Sequence, residues 1–317
     1  MTTPTTTGTR ISADQRPSHP STGRVAVATI SGIHLPATAD VVLPEASVDA
    51  IVADGPTLWA LTDRRELHRI DRHGTELVAV VDDGSATCLG IHDGAIWAGG
   101  DDARLWRLHD GRLLPATSFG DAPTRGEWHT PWGGPPAVFS IASGGGVLYV
   151  SVHVGGVLRS DDAGKSWVST IDLHCDVHQV AAGPDGRVWA ATGTSGLAES
   201  RERGATWQFH TDGLHATYLL AVAVTTDAVL VSSASGHSGR DGALYRFDGD
   251  HFARCRDGLP DKLGGAVGPR QLVAVGDDVA VALPGGHIHT SADGGRTWVR
   301  LADCPTVTDI AVAEQWG

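Results

Sequence analysis

Ser160 to Trp167 reads Ser-Asp-Asp-Ala-Gly-Lys-Ser-Trp, and two further octapeptides share its pattern. Ser291 to Trp298 is Ser-Ala-Asp-Gly-Gly-Arg-Thr-Trp, and Ser200 to Trp207 is Ser-Arg-Glu-Arg-Gly-Ala-Thr-Trp, with Glu202 where the others carry Asp. The pattern Ser-x-Asp-x-Gly-x-Thr/Ser-Trp suits a tight turn between antiparallel strands. The carboxylate accepts backbone N–H groups inside the turn, Gly supplies a positive φ, and Trp packs over the hairpin.

Working outward, each octapeptide closes a longer unit. The second strand of every unit has a marker: Trp59 in TLWAL, Trp97 in AIWAG, Tyr149 in VLYVS, Trp189 in RVWAA, Leu230 in AVLVS and Ala280 in DVAVA. Successive markers are 38, 52, 40, 41 and 50 residues apart. Before each stands a short apolar strand and a Gly/Asp turn, and after it a third strand and a hairpin. Four strands at this period are the signature of a propeller blade. The two ends supply one more. VTDIAVAEQWG, from Val307, has the form of a first strand, and GRVAVATISG, from Gly23, matches the second-strand segment GRVWAATGTSG at Gly186. We therefore expect an all-β, seven-bladed ring of four-stranded antiparallel blades over 23–317, with Val307 to Val312 paired to Val25 to Ile30. Six or eight blades are the alternatives that soft blade boundaries allow.

The octapeptides resemble the Asp-box (BNR) repeats of β-propellers, and the resemblance covers nearly the whole chain. That family includes sialidases, xyloglucan-degrading glycosidases, sorting receptors and photosystem II assembly factors, so it implies a fold more firmly than an activity. A sialidase needs three arginines on a carboxylate, a Tyr–Glu pair and an Arg-Ile-Pro segment. The chain has no Arg-Ile-Pro and only Tyr149, Tyr218 and Tyr245, so sialidase activity is not expected.

Composition bounds the rest. The net charge of −13, with no Lys/Arg run, argues against nucleic acid and an anionic membrane surface as partners. Residues 1–22, rich in Thr, Ser and Pro, read as a disordered tail with no signal peptide, and a cytoplasmic protein is expected. Cys88, Cys175, Cys255 and Cys304 have no C-x-x-C spacing, which indicates neither a disulfide framework nor a zinc ribbon.

Strand order sorts the loops. In an up-and-down blade the a–b and c–d turns share one face, the bottom, and the b–c and d–a loops share the top. The octapeptides are then bottom turns. Top-face insertions explain the two long intervals: GDAPTRGEWHTPWGGPP (Gly120 to Pro136) and, in blade 5, SASGHSGRDG plus the loop from Asp257 to Arg270.

Histidines gather on that top face. His129 lies in a d–a loop, His153 in the b–c turn of blade 3, His174 and His178 around the entry to blade 4, and His215 in the entry to blade 5. Converging neutral imidazoles are a recipe for Zn, Fe, Cu or Ni. The contiguous set His174, Asp176 and His178 is the weaker choice, because two His four residues apart in an extended strand sit about 13 Å apart at roughly 3.3 Å per residue. His153, His178 and His215, from three adjacent blades, are the expected ligands of one divalent transition metal. Three hydrated histidines around a funnel are the bland alternative. His68, His73, His92, His109 and His251 are expected to lie in hairpins or bottom turns and be solvated, with His287 and His289 packed between sheets.

Three functions are compatible with this face. The first is a metal-dependent enzyme on a small molecule, hydrolytic, lyase or oxidative, with Glu127 or Asp176 as general base and Tyr218 or Arg270 orienting an oxyanion. The second is a glycoside hydrolase with paired carboxylates among Glu127, Asp176 and Asp241. The third is a non-catalytic binding or assembly scaffold anchored by Trp128 and Trp132.

Overall fold

A computed structural model describes residues 24–313, and the tail expected over 1–22 lies outside them. Seven four-stranded antiparallel sheets form the blades. The innermost strands of blades 1 to 6 are Val48–Asp54, Ala86–His92, Val138–Gly144, Val177–Ala182, Tyr218–Val224 and Leu272–Val275. Blade 7 is composite. Its innermost strand, Val307–Val312, pairs with Val25–Thr29, with Val25 opposite Val312 and Ala28 opposite Asp309. The expected ring and its closure are both present. Closure completes the seventh blade, so the ring keeps only short strand edges protected at the channel and the rim.

The core lies between blades because each sheet buries both faces against its neighbours. Trp97, Tyr149 and Trp189 are buried in these interfaces, whereas Leu230 and Ala280 fill the same place in blades 5 and 6 with smaller side chains. Polar ties add registration: Val180 N–H in blade 4 donates to Ser140 Oγ in blade 3 (2.8 Å), and that hydroxyl meets Ser151 Oγ at 2.8 Å.

The bottom turns obey the chemistry of their sequence. Asp293 Oδ1 accepts the N–H groups of Arg296 (3.0 Å) and Thr297 (2.9 Å), and its Oδ2 accepts the Thr297 hydroxyl at 2.7 Å. Asp162 repeats the arrangement with Lys165 and Ser166. Gly164, Gly204 and Gly295 take φ of 83°, 86° and 85°, a region closed to most side chains. Glu202 differs. One methylene longer, it accepts only the Thr206 hydroxyl (3.1 Å) and no turn N–H, whereas Ser200 Oγ accepts the N–H groups of Glu202 and Gly204 just as Ser160 and Ser291 do in their own turns.

Two histidine expectations need correction. His68 and His92 are buried: they sit within strands facing a neighbour, with Thr62 Oγ1 3.0 Å from His68 and Ser143 Oγ 2.8 Å from His92. His287 is not packed between sheets. It is exposed at the edge of blade 6, 2.7 Å from Asp303, while His289 beside it is buried as expected.

A bulge recurs near the top of the innermost strands. The register against the second strand slips by one residue at Asp49, Thr87, Phe139, His178 and Thr308, and again between Leu219 and Val222. In blade 6 the described strand Leu272–Val275 runs in unbroken register. A bulge bends its strand and re-aims one side chain. In blades 3 and 4 the re-aimed residues are Phe139 and His178, which meet the same spot.

Candidate metal centre

That spot lies at the top, between blades 3 and 4. His153 comes from the b–c turn of blade 3, Asp176 from the entry to blade 4 and His178 from the bulge two residues later. One donor atom from each lies within 4.8 Å of the others. His153 Nε2 is 2.8 Å from Asp176 Oδ1, and His178 Nε2 is 3.6 Å from Asp176 Oδ2. His153 Nδ1 is buried without a hydrogen-bond partner, and Asp176 Oδ1 is buried with none beyond the His153 contact. Polar atoms rarely stay so in a folded chain.

Local backbone makes the cluster. Leu173–Cys175 form a single 3-10 turn, capped by Asp172, whose Oδ1 accepts the His174 N–H at 2.8 Å. Asp176 then enters the left-handed region, φ 51° and ψ 66°, which turns its carboxylate back over the strand. Gly193 leaves the room this needs. A Cβ there would stand 2.1 Å from Asp176 Oδ2. The Val177 N–H donates to His153 O at 3.0 Å and joins the two blades at the cluster.

Electrostatics favours ligand forms. His178 Nδ1–H donates to Leu219 O (2.6 Å), which leaves the Nε2 lone pair facing Asp176. Burial is the main force lowering the His178 pKa, against the opposing pull of Leu219 O and Asp176, so the ring is neutral at neutral pH. For Asp176, burial pushes upward, yet the His153 contact and the charges of His178 and His153 carry the pKa below the usual value. The carboxylate is ionised. Aromatic rings surround the set: Phe139 lies 4.4 Å from His153, Trp132 5.4 Å from His153, and Tyr218 4.9 Å from His178, centroid to centroid.

Other residues singled out in the sequence stand elsewhere. His215 is exposed, with Nδ1 3.0 Å from Tyr245 Oη and Nε2 2.8 Å from Asp241 O, so both its nitrogens are engaged within blade 5. His174 is exposed on its turn, outside the cluster. His129 is joined through its backbone to Val154, and its Nδ1 lies 3.0 Å from Glu127 O. Glu127 is exposed on the turn Arg125–Glu127 and does not join the cluster. Arg270 reaches across the ring: its N–H donates to Gln179 Oε1 in blade 4 (3.0 Å) and its Nη1 to Thr87 O in blade 2. Trp128 is buried against Phe119, whereas Trp132 is 75% exposed.

No family model and no curated protein matches the chain. Solved structures do resemble it. "YCF48 bound to D1 peptide" aligns at 19% identity over 80% of this chain and 82% of that one, with a TM-score of 0.55. Virginiamycin B lyase from Staphylococcus aureus aligns at 14% identity over 81% and 84%, TM-score 0.60. The GH74 xyloglucanase from Xanthomonas campestris aligns at 17% identity over 93% of this chain but only 53% of its own, TM-score 0.63. At these identities the likeness is one of fold. A protein solved with a bound peptide, a lyase and a xyloglucanase share the ring, so the site must carry the argument about function.

Two cavities of about 670 and 550 Å³ lie away from the cluster. One, on the flank of blade 2, includes Arg104, Trp106 and Phe119; the other, at the bottom turns of blades 4 and 5, includes Pro184, Trp189 and Phe247. Neither is lined by a histidine. Gly193 is the site residue that sequence reading missed. The only available signal was its place in the repeat, four residues after a blade marker, where blade 3 carries His153.

Proposed function

We propose that His153, Asp176 and His178 hold one divalent transition-metal ion, Zn, Fe, Cu or Ni, and that the protein is a metal-dependent enzyme acting on a small molecule at the top mouth. The observation that carries this reading is the convergence of three donors from two blades, with two buried polar atoms lacking hydrogen-bond partners. Two imidazoles and one carboxylate on one side of an ion leave positions for water and substrate. Such an ion polarises a bound oxygen or lowers the pKa of bound water. Tyr218 stands beside His178, and burial and then the Asp176 charge keep its phenol protonated above the ordinary pH range, so it suits donation to a substrate oxygen. The glycosidase alternative has less support, because the cluster includes a single carboxylate. A partner-binding scaffold draws support from the exposed Trp132.

Elemental analysis of protein prepared without an affinity tag tests the metal reading. Wild type should carry close to one ion per chain, and the His153→Ala/His178→Ala double variant less than about a tenth of that. Equal metal content in the two proteins rejects it.

A further inference from the structure

We propose that the molecule taken at this site carries a planar aromatic ring with two adjacent oxygen donors, and that Trp132 is the residue that positions the ring. The proposal rests on the metal reading for the oxygens and on Trp132 for the ring.

Among the described tryptophans only Trp132 is exposed; the rest are buried or half-buried. Its exposure is built into the loop. Thr130, itself buried, closes the turn: its N–H donates to Gly134 O (3.0 Å), its carbonyl accepts Gly133 N–H (2.8 Å), and its Oγ1 accepts Gly134 N–H (2.8 Å). One residue earlier, His129 and Val154 exchange both backbone hydrogen bonds, at 3.0 and 3.1 Å. Val154 follows His153, so the loop that presents Trp132 is stitched to the turn that presents a cluster imidazole. The indole meets the His153 ring at an interplanar angle of 75°. Edge contact of this kind leaves a broad indole face uncovered beside the donor atoms.

A rigid loop that holds a large apolar face in water gains nothing from it inside the chain, and such faces mark binding surfaces. Phe139 and Tyr218, both half-buried, complete an aromatic rim. The three rim residues carry one hydroxyl between them, that of Tyr218. A sugar needs several convergent polar partners, whereas a flat apolar ring needs a stacking face and a few placed polar groups. Two adjacent ring oxygens match the open positions that a two-His, one-carboxylate set leaves on an ion.

Titration of the zinc-loaded protein with nitrocatechol tests both halves, because the dye's absorption shifts when its oxygens meet a metal while calorimetry reads its affinity. Wild type should bind with a spectral shift. Trp132→Ala should bind at least about tenfold more weakly, and Trp132→Phe within about threefold of wild type, with zinc content and melting temperature unchanged in both. Equal affinity in wild type and Trp132→Ala overturns the role of Trp132, and tighter binding of cellobiose than of nitrocatechol overturns the ring class. Failure of wild type to retain zinc sinks the metal reading and the chelating oxygens with it. Trp132-dependent binding of the dye without a spectral shift upholds the stacking half alone.

Discussion

Asp293 and Asp176 are the same side chain on opposite faces of one ring, and they differ in where their lone pairs go. At the bottom, Asp293 accepts two backbone N–H groups and two hydroxyls, all from its own octapeptide. At the top, Asp176 faces imidazoles from two blades, and its Oδ1 has no partner beyond the His153 contact. A carboxylate saturated by its own turn is part of the scaffold. One that long-range contacts hold half-satisfied has coordination to offer. Asp309 is a third kind: fully buried in the innermost strand of blade 7, it accepts the N–H groups of Ile51 (3.1 Å) and Ile310 (2.8 Å).

The largest expected effect comes from Asp176→Asn. It keeps the shape but removes the charge, so metal affinity should fall at least about 100-fold while the melting temperature moves little. Metal retained at wild-type level would erase the contrast between the faces.

Carboxyl titration followed by NMR separates the scaffold carboxylates by depth. Burial, eased by the nearby Arg270 charge and two N–H groups, leaves the Asp309 pKa at about 6, whereas the Ser166 and Ser160 hydroxyls and turn N–H groups hold Asp162 at about 2. The linkage signs are opposite. Asp309 is raised, so its contribution to stability grows as pH falls through about 6 toward the unfolded value. Asp162 is lowered, so its contribution is present above the unfolded value and is lost as pH falls toward 2. Coincident midpoints near 4 would contradict the geometry of both.

Smaller effects follow at the bottom. Asp293→Ala leaves turn N–H groups unpaired and should cost about 1–3 kcal/mol in denaturant unfolding, with metal content unchanged. Loss of metal there would tie the two faces together. Glu202→Asp should sharpen the third turn toward the other two and raise the melting temperature by about 1–2 °C. A fall would mean that the turn N–H groups which Glu202 leaves unbonded gain nothing from a shorter carboxylate.

The ring itself was legible because repetition averages over local noise: Trp59, Trp97, Tyr149 and Trp189 phase the blades, and the fragments at the two ends complete each other. Faces were legible for the same reason, since strand order decides which loops share a side. The radial position of a side chain was not. His215 stands on the expected face, yet Tyr245 and Asp241 hold it out along blade 5. Asp176 and His178 looked like neighbours in an extended strand, but a left-handed residue and a bulge bring their donors together. Neither deviation has a composition of its own. His68 and His92 were misjudged likewise, because burial there depends on which side of a short strand faces the next blade.

Closure of blade 7 also sets a timetable. Among the described residues Val25–Thr29 is the first of 28 strands in chain order, and its inner partner, Val307–Val312, is the last. During synthesis the growing ring must wait with the inner edge of that blade unpaired while six complete blades accumulate beside it. Contacts between residues so far apart in sequence are slow to form, and unpaired strand edges invite association with other chains. The joint that makes the finished ring durable is thus the point at which the nascent chain is most exposed to a wrong partner.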